Sequence, residues 1–315
     1  MRRSEGVSWD KPSYLNIGLR ELRRRAEEAY DSYSRCELCP WKCGVDRISM
    51  EKKGVCRSGA QPLVASYNLH HGEEPPISGE RGSGTIFFTN CTLRCVYCQN
   101  YPISQLGAGR PYTHRELAEM MLYLQSRGAH NINFVTPTHF VPSILKALVM
   151  AVERGFRLPI VYNTSGYERV ETLKLLEGVV DIYLPDIKYS SDRMAKKYSR
   201  AMNYVENNRK ALKEMFRQVG PLKVDGKGVA VRGLLIRHLV LPNDIAGSEE
   251  SLNFIARELS PEVPISLMSQ YFPAYRARKI EELSRPISPE EYERVLEIMD
   301  RLGLRRGWIQ EYFLL

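Results

Sequence analysis

Seven cysteines carry the most specific chemical information in this 315-residue chain, and none lies beyond position 98. Cys91, Cys95 and Cys98 form a C-x3-C-x2-C triplet within the run TIFFTNCTLRCVYCQN. Three closely spaced thiolates can anchor three irons of a cubane cluster, leaving the fourth iron for a substrate or cofactor. The spacing alone also admits a three-cysteine zinc site completed by a distant ligand, or buried thiols with no ligand at all. Cys36, Cys39, Cys43 and Cys56 form a second group, C-x2-C-x3-C-x12-C. Four thiolates suffice for tetrahedral zinc or for an auxiliary iron–sulfur cluster. An odd total excludes complete disulfide pairing within the chain. The opening MRRSEGVSWDKPSYL lacks the continuous apolar stretch of a secretory leader. Clustered cysteines then argue for metal or cluster ligation rather than a disulfide framework.

The elements that must position these thiols follow from the hydrophobic pattern. A composition of 43% hydrophobic and 26% charged residues is that of a soluble globular protein. The net charge of +8 is spread along the chain, so no basic tail points to specific nucleic-acid binding. No apolar run reaches membrane-spanning length, and a cytoplasmic location is expected. Residues 12–35 read as a surface helix begun by Pro12, and residues 70–84 as a loop rich in turn formers. From residue 85 onward, β-prone runs at 85–90, 131–137, 158–164, 179–189, 233–242 and 264–272 alternate with helical stretches. Thr113 with Glu116, and Ser288 with Glu291, make two capping boxes. This alternation predicts an α/β fold, a partial (β/α)6 TIM-like barrel with helices outside; a doubly wound sheet is the competing architecture. The expected organisation is an N-terminal helix and cysteine-rich extension over 1–80, the barrel over 81–275 and a C-terminal helical extension over 276–315. Chemistry in such folds gathers at the carboxyl ends of the strands. Cys91, Thr136, Asn163, Asp186, His238 and Gln270 all fall near such ends.

The triplet, the following Gln99–Asn100 and the β/α order resemble the radical S-adenosylmethionine superfamily, and within it the pyruvate formate-lyase activating enzyme-related branch with an N-terminal cysteine motif. The resemblance spans residues 36–304. It implies a [4Fe–4S] cluster on Cys91, Cys95 and Cys98, with S-adenosylmethionine chelating the remaining iron. It also implies Tyr97 packed near adenine, although an aromatic there can equally shield the cluster edge. The GGE-like segment of activating enzymes is replaced here by NINFVTPTHFVP, whose Thr136, Thr138 and His139 occupy the comparable region. Asn163 and Ser165 resemble a TNG-like segment that meets the ribose or carboxylate. Asp186-Ile187-Lys188 matches a DLK-like segment, with Lys188 the cation for the methionine carboxylate. On the penultimate strand Arg237 and His238 alternate to opposite faces, and His238 is the expected cofactor contact. Gln270 stands where related enzymes often carry a histidine. Glu73–Glu74 in GEEPPISG read as a solvated loop, a lid or a docking edge.

The function implied is reductive formation of a 5′-deoxyadenosyl radical for hydrogen abstraction, with activation of a glycyl-radical protein as the nearest analogy. A ferredoxin- or flavodoxin-like electron donor and a protein substrate are the implied partners. Modification of a small molecule or RNA is one alternative, and a non-enzymatic, metal-stabilised interaction protein is another.

Overall fold

A computed structural model describes residues 11–312. The opening Met1–Asp10, read above for leader character, lies outside the described residues. The strands are β1 (Leu63–His70), β2 (Ser83–Phe88), β3 (Arg110–Pro111), β4 (Ile132–Val135), β5 (Ile160–Thr164), β6 (Ile182–Pro185), β7 (Lys223–Val224), β8 (Ala230–Leu234), β9 (Ile236–Leu239), β10 (Ile265–Met268) and β11 (Gly307–Ile309). Strands β2, β4, β5, β6 and β8 pair in parallel in that order. Strands β9, β10 and β11 form a second parallel set. Only Leu235 separates β8 from β9. Its amide bonds Tyr183 in β6, and the Ile187 amide bonds Arg237 in β9, so one bent strand carries the sheet from the first set into the second. The result is an α/β, TIM-like partial barrel with helices on its outer face.

All six strand runs expected from the sequence are present. Four further strands widen the sheets: the two-residue β3 and β7 at the edges of the larger one, beside β1 and β8, and the longer β1 and β11. Strand β1 adds antiparallel to β2, and β11 adds parallel to β10. Gly307 permits the second pairing: its φ is 127°, and a Cβ there would collide with the backbone of Ile265. Segments before residue 81 and after residue 275 therefore both supply strands to the barrel sheet.

Alternation along the strands separates two packed layers. Ile86, Phe134, Tyr162 and Tyr183 face the helices, where they join Leu117, Met121, Leu145 and Leu148 in one buried core. Val161, Ile182, Leu184 and Leu235 point the other way, into the barrel. Ile77 seals this interior from the amino-terminal end. It comes from a short helix, Pro75–Ser78, begun by two prolines that pre-set φ for a first turn. GEEPPISG is thus a plug inside the barrel, not a solvated loop, lid or docking edge. The local sequence hides this because its anchor, Arg237, lies 163 residues away.

Both expected capping boxes form, at Thr113/Glu116 and Ser288/Glu291. The first expected helix is broken at Gly18 into Ser13–Ile17 and Leu19–Asp31. Leu22, Ala26 and Ala29 of the longer piece are buried, and that helix packs against helix Val141–Glu153. Among the described residues no helix is long and apolar enough to cross a membrane.

Candidate active site

Cys91, Cys95 and Cys98 lie in the loop that leaves β2. The loop is tied down along its length: Arg94 N–H donates to Ser199 O (3.0 Å), Val96 N–H to Tyr198 O (2.8 Å), and Trp41 Nε1 to Thr92 O (2.7 Å). Each sulfur has its own polar neighbour. The Leu93 amide donates to Cys91 Sγ (3.3 Å), Ser199 Oγ donates to Cys95 Sγ (2.9 Å), and Cys98 Sγ shares a hydrogen bond with Ser104 Oγ (3.0 Å). Burial pushes the Cys91 thiol up to about 12 and the Cys95 thiol to about 11. Both are therefore neutral near pH 7 until a metal displaces their protons.

All three cysteines line a cavity of about 600 Å³ at the carboxyl ends of the strands. Thr136, Asn163, Ser165, Asp186, Lys188 and Gln270, all picked from the sequence, line it too. Lys188 Nζ lies 2.6 Å from Asp186 Oδ2. Burial alone would lower the ammonium's pKa, but the neighbouring Asp186 carboxylate outweighs it and holds the group protonated. Tyr204 Oη accepts the Lys188 amide (3.0 Å) and fixes the segment. Thr136 adopts a φ of 59°, a conformation costly for a β-branched residue, and its amide donates to Asn163 O (2.9 Å). Gln270 accepts from Gln310 Nε2 at the rim (3.0 Å).

Four other residues singled out from the sequence, Tyr97, Thr138, His139 and His238, are not in the cavity wall. Tyr97 sits behind the triplet, where its hydroxyl donates to Tyr189 (2.7 Å); Tyr189 in turn bonds Ser199, the residue that bonds Cys95. It supports the loop through a hydroxyl relay. Thr138 is buried and donates to Glu168 Oε1 (2.5 Å). His238 faces the outer layer, held between Ile187 O (2.8 Å) and Ser248 Oγ (2.9 Å). Its strand neighbour Arg237 is the inward residue. Arg237 forms ion pairs with Glu74 (2.6 Å) and Glu73 and donates to Asn163 Oδ1 (3.3 Å), building the cavity floor. The alternation of Arg237 and His238 follows the strand period; Arg237 neutralises acidic groups inside, while His238, the expected cofactor contact, is turned away from the cavity. His139, compared above with the missing acidic position, is also buried: its Nε2 pairs with Thr89 O (3.0 Å), and burial pushes it down to about 3, so it is neutral.

Sequence reasoning missed Glu168. It is fully buried, accepts from Thr138, Thr164 and Tyr162, and is pushed by burial up to about 7 despite those donors. Its position just after the polar NTSGY run was the available signal. The second cysteine group lies behind the triplet loop, with Cys36, Cys39 and Cys56 buried and Cys43 half-buried. None of the four lines the cavity.

Residues 85–255 match the family model described as the radical SAM superfamily. The chain belongs to the radical SAM superfamily. A protein of Methanocaldococcus jannaschii, itself uncharacterized, is 30% identical over 311 residues, covering 95% of this chain and 82% of that one. Among solved structures, a radical SAM methyltransferase from Sphaerobacter thermophilus is similar at a TM-score of 0.47 and 16% identity, over 72% of this chain and 66% of that one. A domain of pyruvate-formate lyase-activating enzyme from Bacteroides vulgatus is similar at a TM-score of 0.34 and 16% identity, over 51% of this chain and 86% of the domain. The radical SAM family implies a [4Fe–4S] cluster and S-adenosylmethionine. The donor set fits both: the three thiols open onto one cavity, no further cysteine lines it, and a protonated lysine faces the same space.

Proposed function

We propose that this chain is a radical SAM enzyme that reductively generates a 5′-deoxyadenosyl radical in the cavity under Cys91, Cys95 and Cys98. The observation that carries the reading is the convergence of the three thiols with Lys188, Asn163 and Ser165 at the strand ends. When bound, the cluster and S-adenosylmethionine supply one-electron cleavage of the sulfonium to methionine and a radical that abstracts a hydrogen atom.

The protein's own residues do the positioning. Cys91, Cys95 and Cys98 would hold the cluster, and Lys188 would meet the methionine carboxylate, with Asp186 orienting its ammonium. Asn163 and Ser165 would take sugar or carboxylate oxygens. Thr136 would present its hydroxyl from a backbone set by the bond to Asn163. Arg237 with Glu73 and Glu74 closes the floor and keeps water from entering the barrel from below.

A glycine of a protein partner is the proposed target, in the manner of an activating enzyme. The exposed Ile309 on the cavity rim supports a target carried on a larger surface. A ferredoxin- or flavodoxin-like protein is the proposed electron donor, and the cytoplasm the proposed location. The four earlier cysteines form a second metal site, of zinc or of iron and sulfide.

The test is product analysis of anaerobically reconstituted, dithionite-reduced protein incubated with S-adenosylmethionine. Methionine and 5′-deoxyadenosine should form in equal amounts in the wild type and not in C95A. A fully loaded cluster that neither binds S-adenosylmethionine nor yields 5′-deoxyadenosine contradicts the reading.

A further inference from the structure

We infer that Cys36, Cys39, Cys43 and Cys56 bind a second [4Fe–4S] cluster rather than zinc. Two observations carry this: the thiol arrangement selects a cluster over zinc, and a buried arginine calls for an anionic metal centre beside it; neither depends on the chemistry proposed for the triplet.

The first is the arrangement of the thiols. Three cysteines fall within one short run, and the fourth follows a twelve-residue gap. Structural zinc sites are usually assembled from pairs of ligands. A tight run of three with a remote fourth is the pattern of cubane ligation. The run curls on itself: Cys36 N–H donates to Val45 O (2.9 Å), Gly44 N–H to Cys36 O (2.9 Å), and Lys42 N–H to Cys39 O (3.0 Å). The Val55 amide points at Cys43 Sγ (3.5 Å) and brings the Cys56 segment to the same place.

The second observation is Arg47. Its side chain is 1% exposed. It donates to the carbonyls of Ser58 (2.9 Å), Gly59 (2.6 Å) and His139 (2.6 Å), and Nη1 lies 3.8 Å from Cys36 Sγ. The guanidinium lies over the Tyr33 ring, 4.4 Å from its centroid. No carboxylate is among these partners. A buried guanidinium cannot shed its proton, and burying it without an anion is expensive. With no metal centre the guanidinium has no anion beside it, whereas four thiolates on zinc or on a cluster alike leave net negative charge there; Arg47 therefore argues that the quartet is occupied, and the thiol arrangement that the occupant is a cluster. The local apolar core is small, with Tyr33, Cys36 and Leu38 at its centre, so the metal centre also supplies cohesion that side chains do not.

The test is anaerobic reconstitution of the full-length protein with iron and sulfide in the presence of zinc, followed by metal analysis and electron paramagnetic resonance (EPR) of the dithionite-reduced samples. Wild type should hold about eight irons per chain, and the C91A/C95A/C98A variant about four, with no zinc. The variant's reduced signal should not respond to S-adenosylmethionine. C36A/C39A should hold about four irons with a signal that does respond. If the triple variant does not fold, C98S gives the same reading of the remaining signal. One zinc and no iron in the triple variant would overturn the proposal, as would equal iron in wild type and C36A/C39A.

Discussion

Cys91, Cys95 and Cys98 look into a cavity of about 600 Å³, whereas Cys36, Cys39, Cys43 and Cys56 lie behind the loop that carries them, beside a buried arginine. The ligand chemistry is the same and the surroundings are opposite. At the triplet, the nearby cation is Lys188, balanced by Asp186 and facing open space. At the quartet, the cation is Arg47, packed among carbonyls with no carboxylate. A lysine facing a cavity can receive a ligand's carboxylate, and an arginine sealed in the core can only balance the thiolates. The two regions also bury charge differently. Glu168 is an anion buried near the cavity without a cation, and it escapes the cost by taking up a proton. Arg47 has no such escape.

The largest effect expected from this contrast is in catalysis. C95A should reduce 5′-deoxyadenosine to background, while C39A, quantified by the same chromatography, should leave S-adenosylmethionine binding in place. Equal loss of binding in both variants would erase the distinction.

Glu168 gives the next effect, in stability. Its side chain titrates at about 7 when folded, against 4.5 normally. Between these values the unfolded chain has released the proton and the folded chain keeps it. Stability therefore falls as pH rises through that window and is flat above it. E168Q should gain on the order of 3 kcal/mol over wild type between pH 4 and pH 8, measured by chemical denaturation of apo protein. An unchanged pH slope would mean that Glu168 is ionised in the fold.

K188Q should weaken S-adenosylmethionine binding about 10–100-fold, the scale of one lost charge-assisted hydrogen bond, by equilibrium dialysis. It should leave iron content unaltered, whereas R47M should lose quartet iron and keep the triplet's response. The smallest effect belongs to Ser199. Removing its hydrogen bond to Cys95 with S199A should lower the midpoint potential of the S-adenosylmethionine-responsive signal and leave the other signal in place, in a redox titration followed by EPR.

Much of this molecule was legible in the sequence because it rests on short-range rules. The triplet spacing, the six strand runs and both capping boxes each occupy a few consecutive residues. Asn163 falls at the end of β5's alternation, and Asp186 and Lys188 follow directly on the end of β6, so a reading carried along each strand to its carboxyl end reaches all three. What escaped depends on distant partners. Glu73 and Glu74 look like solvent-facing acids until Arg237 is brought to them across the barrel. Tyr97, Thr138 and His238 are close to cavity residues in sequence, yet the loop path and strand register turn them to the other side. Strand β11 is three residues long and is made by Gly307 meeting Ile265, a contact with no local pattern.

The central claim is that the triplet's cluster binds S-adenosylmethionine in the cavity. The most direct measurement is an EPR titration of the reduced C36A/C39A protein, in which only that cluster remains. The account predicts a signal that changes on adding S-adenosylmethionine, saturates at about one equivalent per chain, and needs a higher concentration in K188Q. A reduced cluster whose signal stays the same at saturating S-adenosylmethionine would contradict it.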